Sequence, residues 1–369
     1  MLKKVLIFYP SFESGGATKN LIKIINYLLQ KKVKVILFSH KAKKNKFKFS
    51  KNLYVIDNKP LKKFSILPIR WNLALSAMFS VYKYAKLKTD NSIIFSMQSH
   101  IPAIIISKIL NKKVIIRNSE EPIGATIYAD NKFLGLLVLF LKFIFYNFAD
   151  KIIAISKKSE NSLNKIVFFK KKIVLIFNPY IEKISKIKKI KSKRFRILSV
   201  GRFTYQKNII SLIDAFSNLS RKYKSIELII IGKGSQKKLL VDKIKYLKNI
   251  KIVHWKKNIK SSYLSSDLFI LNSFYEGLPN VLIEAVNYET PCISTDVSGA
   301  NDILINGKGG YIIPINNQQK LEKKIEYVIQ NYSEAKKKAK YAKNKIKRFS
   351  KINLPIFYKS LLKLENSVK

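Results

Sequence analysis

Twice in 369 residues the chain runs an apolar strand into a glycine-bearing loop and then into a helix with apolar residues at three- and four-residue spacing. The first instance is VLIFYPSFESGGATKNLIKIINYLL from Val5 and the second is RILSVGRFTYQKNIISLIDAF from Arg196. Short β-branched runs then alternate with helical segments: VKVILFS, SIIFS, VIIRN and KIIAIS in the first half, and IELIIIG, IKIVHW, LFILNS, PCISTD and GYIIP in the second. Strand and helix in regular alternation predict parallel sheets covered on both faces. The length exceeds one ordinary core. The expected architecture is therefore α/β, with two Rossmann-like doubly wound domains over residues 1–181 and 195–348, a basic linker over 182–194, and a closing helix over 349–369. Ligands of such sheets sit beyond the carboxyl ends of the strands. Two domains facing a central cleft would line it with Ser11–Thr18, Gly201–Asn208, Gly232–Gly234 and Ser273–Glu284.

Charge is the compositional outlier. Lys and Arg number 72 against 22 Asp and Glu, a formal net charge of +50. That field attracts polyanions, with nucleic acid and anionic lipid as candidate partners; drift toward AT-rich codons, which load a chain with Lys, Ile and Asn, gives the same excess with no partner. One cysteine, Cys292, excludes an internal disulfide and a cysteine-cluster metal site, and its apolar strand context reads as core. The N-terminal apolar run is a first strand, not a signal peptide, so the expected location is cytoplasmic. FLGLLVLFLKFIFYNFA, Phe133 to Ala149, is too short to span a bilayer and carries Lys142 inside it, which leaves a buried core helix or a helix lying in the membrane interface. KKFSILPIRWNLAL, Lys62 to Leu75, likewise joins apolar and aromatic bulk to cations and points to a peripheral position at the inner membrane face.

In SFYEGLPNVLIEAV, Ser273 to Val286, Gly277 frees the backbone, Pro279 suits the first helical position, and Leu278 to Asn280 lead into a helix. The free N–H groups of that helix start suit an anion or a polar sugar edge. Glu276 and Glu284, eight residues apart, are too far separated to share a proton and read as two receivers of hydroxyl pairs, of which a nucleotide sugar has two. In GRFTYQKN, Arg202 and Lys207 stand between a strand end and a helix that Asn208 is expected to cap, which suits a diphosphate. Neither a Walker loop nor a Gly-x-Gly-x-x-Gly fingerprint occurs, so ATPase and dehydrogenase chemistry lose their main support.

GRFTYQKN and YEGLPNVLIEA, with IGKG between them and PCISTDVSGANDIL after, resemble the retaining family 4 glycosyltransferases of the GT-B fold, including those that build lipopolysaccharide and lipid-linked oligosaccharides. The resemblance covers Arg196 to about Ile313 most closely. In the N-terminal half SGGATKNL is similar to the family's Gly-Gly loop and YNFADKIIAISK to its entry into the sixth strand, while RFSKINLPIFYKSLL is similar to its closing helix, which crosses back to the first domain. The resemblance implies that Arg202 and Lys207 bind the donor diphosphate, that Glu284 binds the ribose, and that Glu276 with Gly277, Leu278, Pro279 and Asn280 holds the donor sugar. Gly201 and Gly232 fall in the donor-binding loops, and Gly15 and Gly16 let the backbone approach donor phosphate and acceptor.

Glu276, Lys207 and Arg202 are thus the expected catalytic groups, in a site without a metal or other cofactor, since the chain has no Asp-x-Asp motif. Two departures stand out: His254 replaces the family's usual Gly near the base pocket, and RNSEEP stands where many members carry a histidine. His100, in SMQSHIPA, is the remaining histidine at a loop mouth, either structural or at the acceptor site. The expected activity is retaining transfer of a hexose or N-acetylhexosamine from a nucleotide sugar, UDP by analogy, to a lipid-linked or lipopolysaccharide saccharide, with no nucleic acid as partner. The rivals are another GT-B enzyme, a sugar-nucleotide epimerase or a phosphorylase, and a basic nucleic-acid-binding protein, for which no recognition helix or RNP-type strand is found.

Overall fold

The computed structural model describes residues 2–13, 15–48, 51–86, 90–190, 192–255 and 258–366. The chain divides into two compact units, one of Met1–Ser119, Leu136–Tyr180 and Lys351–Lys369, the other of Glu120–Gly135 and Ile181–Ser350.

The first unit is built on strands β1 (Lys4–Ser11), β2 (Lys34–His40), β3 (Leu53–Ile56), β4 (Ile93–Ser96), β5 (Val114–Arg117), β6 (Lys151–Ala154) and β7 (Ile173–Leu175). They pair in parallel in the order β3-β2-β1-β4-β5-β6-β7. Helices α1 (Gly16–Gln30), α2 (Ile69–Ala85), α3 (His100–Ile109), α4 (Pro122–Ile127), α5 (Lys132–Phe145) and α6 (Lys157–Ile166) follow their strands along the chain, α4 clustering with the second unit. Alternation along β1 shows why its run is apolar throughout: Val5, Ile7 and Tyr9 enter one core, and Leu6 and Phe8 enter the core on the opposite face.

The second unit contains β8 (Phe195–Arg202), β9 (Ile226–Lys233), β10 (Ile250–His254), β11 (Leu268–Leu271), β12 (Cys292–Thr295) and β13 (Tyr311–Ile313). These are parallel in the order β10-β9-β8-β11-β12-β13. Helices α7 (Ile209–Lys222), α8 (Lys237–Ile244), α9 (Lys260–Leu264), α10 (Asn280–Asn287), α11 (Ala300–Leu304), α12 (Gln318–Gln330) and α13 (Tyr332–Asn344) alternate with or follow the strands. Cys292 lies in the core, where burial pushes its thiol up.

The last helix, α14 (Asn353–Asn366), packs in the first unit: Leu354, Phe357 and Leu361 join the core of α1 and β1, and Phe357 meets Phe95 with ring centroids 4.8 Å apart. Pro355 is in its first turn, where a missing N–H leaves no helix bond unmade. Two segments differ from expectation. Glu120–Gly135, placed by the sequence in the first domain, clusters with the second unit because its contacts are to the loop after β11. The helix within Phe133–Ala149 is not a core helix: α5 has no buried residue, and Phe133, Leu134, Leu136, Leu137 and Phe140 are exposed. Its apolar content lies all round the helix, so burial of one face could not have covered it.

Candidate active site

In each sheet the strand order reverses once, between β1 and β4 and between β8 and β11, and the crevice for a ligand opens at such a switch point. The second unit places there the two segments singled out in the sequence. Residues 203–208 leave β8 and residues 272–279 leave β11, strands paired through Leu268 with Ile197 and Phe269 with Leu198. The two loops are stitched by backbone and amide bonds. Phe274 N donates to Gln206 O at 2.8 Å, Gln206 Nε2 to Tyr275 O at 2.7 Å, and Asn272 Nδ2 to Asn208 O at 3.0 Å.

That stitching brings Lys207 to Glu276. The ammonium donates to Glu276 Oε1, which also accepts from Ser273 Oγ at 2.8 Å. Both partners are largely sheltered, with 12% and 11% of their side-chain surface exposed. Thr295 Oγ1 donates to Ser273 O at 2.7 Å, so β12 holds the loop that carries the serine. Arg202 is exposed, and its Nη2 donates to Gln206 Oε1 at 3.3 Å. Asn208 opens α7 in a left-handed conformation, φ 46° and ψ 45°, and its side chain makes no capping bond, contrary to expectation. The left-handed turn directs its carbonyl to Asn272 instead.

Two glycines here are required by packing. A Cβ on Gly201 would lie 3.2 Å from Lys207 Cε, so the glycine leaves the lane along which the lysine reaches its carboxylate. A Cβ on Gly232 would lie 1.9 Å from Gly201 O and 2.5 Å from Phe203 Cε1. Gly232 therefore lets β9 and the turn after β8 close on each other. At the end of β10 the exposed His254 is in register with Gly232.

Gly277, Leu278 and Pro279 are buried and lead into α10, with Pro279 just ahead of the first helical residue rather than on it. Asn280 begins the helix, whose start has no side-chain cap and no acid in its first turn, so that the positive end of the helix dipole suits an anion. Glu284 lies one turn further on. Tyr263 Oη donates to Glu284 Oε2 at 2.9 Å, and Tyr263 is itself buried and stacked on Tyr288 at 5.5 Å.

Several partners escaped the sequence. The bonds by which Ser273 and Tyr263 orient the two glutamates were marked by neither spacing nor residue type, although Ser273 opens a segment expected at the cleft. Gly299, at φ 81°, would place a Cβ 2.7 Å from Leu278 Cδ1, so the turn before α11 supports the loop that leads into α10; its left-handed conformation was foreshadowed only by the Ser-Gly dipeptide. The segment from Glu120 is the least expected. Glu121 N donates to Glu276 O at 3.3 Å, Tyr128 stacks flat on Phe274 at 5.7 Å, and Tyr205 packs on the same ring at 4.8 Å. The Glu121 carboxylate accepts from Ile123 N and Gly124 N and caps α4. Burial, then Glu120 and Asp130, hold the Tyr275 phenol above its ordinary range. Among the described residues no three His, Cys, Asp or Glu side chains group as a metal site.

In the first unit, Gly15, Gly16 and His100 all fall at the switch point, in the loops after β1 and β4. Gly15 precedes α1 in extended backbone with no atom within 4 Å of where its Cβ would stand, and Gly16 opens the uncapped helix. Ser11 N donates to Gln98 Oε1 at 3.4 Å across the two loops. His100 Nδ1 bonds Ser96 Oγ at 2.9 Å, and its ring meets Tyr146 edge to face at 6.0 Å. The residue keeps part of its surface exposed, yet its imidazole is desolvated. Burial, then the Lys142 and Arg117 cations, push it down to about 3, so it is neutral at physiological pH.

Comparison with known proteins places this geometry. Residues 180–348 match the model of the glycosyl transferases group 1 family. The amylovoran biosynthesis glycosyltransferase AmsD of Erwinia amylovora is 28% identical over 88% of this chain and 90% of its own. The N-acetylgalactosamine-N,N'-diacetylbacillosaminyl-diphospho-undecaprenol 4-alpha-N-acetylgalactosaminyltransferase of Campylobacter jejuni is 26% identical over 96% of this chain and 97% of its own. The crystal structure of Anabaena HepE in complex with UDP and glucose superposes with a TM-score of 0.73 at 17% identity, covering 98% of this chain and 99% of that one. Residues 180–348 thus form a group 1 glycosyltransferase domain, the two parallel-sheet units are those of the GT-B fold, and the chain is a glycosyltransferase of glycan biosynthesis.

Proposed function

We propose that this glycosyltransferase moves a hexose or N-acetylhexosamine from a UDP-sugar, with retention and without a metal ion, to a hydroxyl of a lipid-linked or lipopolysaccharide saccharide at the inner face of the cell membrane. The observation that carries the donor half is the meeting of Lys207 and Glu276 at the β8/β11 switch point, in the loop that leads into the uncapped start of α10. A cation and helix N–H groups suit the diphosphate, and a sheltered carboxylate suits the sugar hydroxyls. Glu284, held by Tyr263, suits the ribose diol. The HepE complex supports UDP as the nucleotide, and the undecaprenol-linked acceptor in the Campylobacter enzyme's name supports the acceptor class.

In this reading the anomeric C–O bond to the diphosphate breaks while the acceptor oxygen attacks the same face of the sugar, and the departing phosphate oxygen takes the acceptor's proton. Lys207 and Arg202 offset the charge that grows on the leaving group, and Glu276 offsets the positive charge on the sugar. Peripheral attachment is supported by the exposed residues of Lys62–Leu75, with Ile66 98% exposed, and by the exposed apolar residues of α5. No helix among the described residues is long and apolar enough to cross a membrane.

The test is thermal stabilisation by a panel of UDP-, GDP- and ADP-sugars, because binding to the folded state raises stability by mass action. Stabilisation by UDP-sugars is expected. Stabilisation by GDP- or ADP-sugars alone overturns the base assignment, loss of activity in EDTA that Mg²⁺ or Mn²⁺ restores overturns the metal-free site, and an inverted product anomer overturns retention.

A further inference from the structure

The C-terminal half of α5 and the turn before β7 make one surface of the first unit. Phe143 of α5 meets Phe168 edge to face, ring centroids 5.2 Å apart. Asn147 ties the two segments together: its Oδ1 accepts from Phe168 N at 2.8 Å, and its main-chain oxygen accepts from Lys172 Nζ at 3.0 Å. Phe168 and Phe169 stand 68% and 62% exposed, and on α5 Leu137, Phe140 and Phe143 are exposed as well. Lys170, Lys171 and Lys172 follow at once in a 3-10 turn, and Lys172 lies over the Phe169 ring at 4.8 Å. From Asn161 to Tyr180 the chain has no Asp or Glu.

Two adjacent phenylalanines on a turn contribute little to a core when neither is covered, and each leaves apolar surface in water. Their arrangement fits one environment. A bilayer interface takes aromatic rings at the boundary with the acyl chains and holds lysines among anionic headgroups, the stems of the lysines lying along the apolar surface. An acidic protein would answer the lysines and leave the rings in water. We propose that Phe168 and Phe169, with the exposed face of α5 from Leu136 to Ile144, form a membrane-inserting tip, and that Lys170 and Lys171 form its collar for anionic lipid. This assignment rests on the peripheral-membrane reading above and names the residues that carry it.

The experiment is cosedimentation of the full chain with phosphatidylcholine vesicles, with and without phosphatidylglycerol. The parent is expected to bind the anionic vesicles. Phe168→Ser with Phe169→Ser should weaken that binding by about tenfold or more. Lys170→Gln with Lys171→Gln should weaken it by about fivefold per lysine, with the loss confined to anionic vesicles. All four side chains are exposed, so unfolding midpoints should match the parent's, and transfer to a soluble acceptor should be unchanged. A parent that binds no vesicles overturns the peripheral reading itself. A parent that binds while both variants bind equally well leaves that reading standing and overturns the assignment to this patch. A parent dimer that the phenylalanine variant converts to monomer, with vesicle binding intact, gives the face to a second copy of the chain and also overturns the lipid assignment.

Discussion

Lys207 and Glu276, sixty-nine residues apart in the chain, form a sheltered ion pair whose carboxylate is further bonded by Ser273. In the proposed reaction each has a different ligand partner, the diphosphate for the lysine and the sugar for the glutamate, so the pair holds both side chains near their working positions before donor arrives. Removing one member leaves a charge largely out of water and uncompensated, which costs more than removing both. Lys207→Met and Glu276→Gln should therefore each lower stability, while the double variant loses less than their sum by about 1–2 kcal/mol. Urea unfolding of the four proteins measures the coupling, and strictly additive losses would show that the pair contributes nothing to the folded state.

Glycines of the two units should separate by what fails. Gly232→Ala drives a Cβ against the Gly201 carbonyl and Phe203, so stability should fall by about 1–3 kcal/mol. Gly15→Ala meets no protein atom and sits in extended backbone, so its unfolding midpoint should stay at the parent's value. If Gly15 gives way to substrate, activity should nonetheless fall by about tenfold, an effect of ~1.4 kcal/mol on the barrier. Full activity in a stable Gly15→Ala protein would remove that residue from the site.

Sequence and structure agree most closely where a local rule decides the outcome. Parallel strands buried on both faces announce themselves as unbroken apolar runs, and the loops at their carboxyl ends follow from topology, so the loops that carry Lys207 and Glu276 could be expected at those ends. The bonds of Ser273 and Tyr263 to the glutamates could not, because serine and tyrosine hydrogen-bond in every context and only the fold brings each to its partner. The displacement of Glu120–Gly135 into the second unit was equally hidden, since it depends on Tyr128 finding Phe274, 146 positions further along the chain. For α5, hydrophobicity was visible but its destination was not: composition cannot distinguish a helix that a core covers fully from one that, like α5, rests on the core through Leu139 and Phe145 and leaves Leu136, Leu137 and Phe140 exposed.

His100 gives a prediction in pH. The unfolded chain takes up a proton at this group near pH 6.5, whereas the folded chain refuses it until about 3. Above 6.5 the imidazole is neutral in both states and contributes nothing to the pH dependence. As pH falls below 6.5 the unfolded state binds more protons, so the folded state loses stability down to about 3, where the penalty levels off. The unfolding midpoint of the parent should consequently fall faster with acidification than that of His100→Gln. Parallel midpoint curves through this window would mean that the imidazole is solvated and titrates normally.

The two glutamates should divide by kinetic signature. Glu284, bonded by Tyr263 and assigned to the ribose, grips a part of the donor that does not change during transfer, so Glu284→Gln should mainly raise the donor KM. Tyr263→Phe removes one hydrogen bond to that carboxylate and should raise KM in the same direction by a smaller factor. Glu276 is assigned to the reacting sugar, where positive charge grows toward the transition state, so Glu276→Gln should depress kcat. A lost charged hydrogen bond of about 1.5–3 kcal/mol corresponds to roughly ten- to a hundredfold. Lys207→Ala should reduce kcat further, because leaving-group charge then goes uncompensated. Since Glu276 also pairs with Lys207, each variant needs an unfolding midpoint above the assay temperature for its kcat to be read as chemistry. Near-normal kcat in Glu276→Gln and Lys207→Ala at saturating donor, or a pure kcat defect in Glu284→Gln, would reverse the roles assigned to the two ends of the loop and helix that carry them.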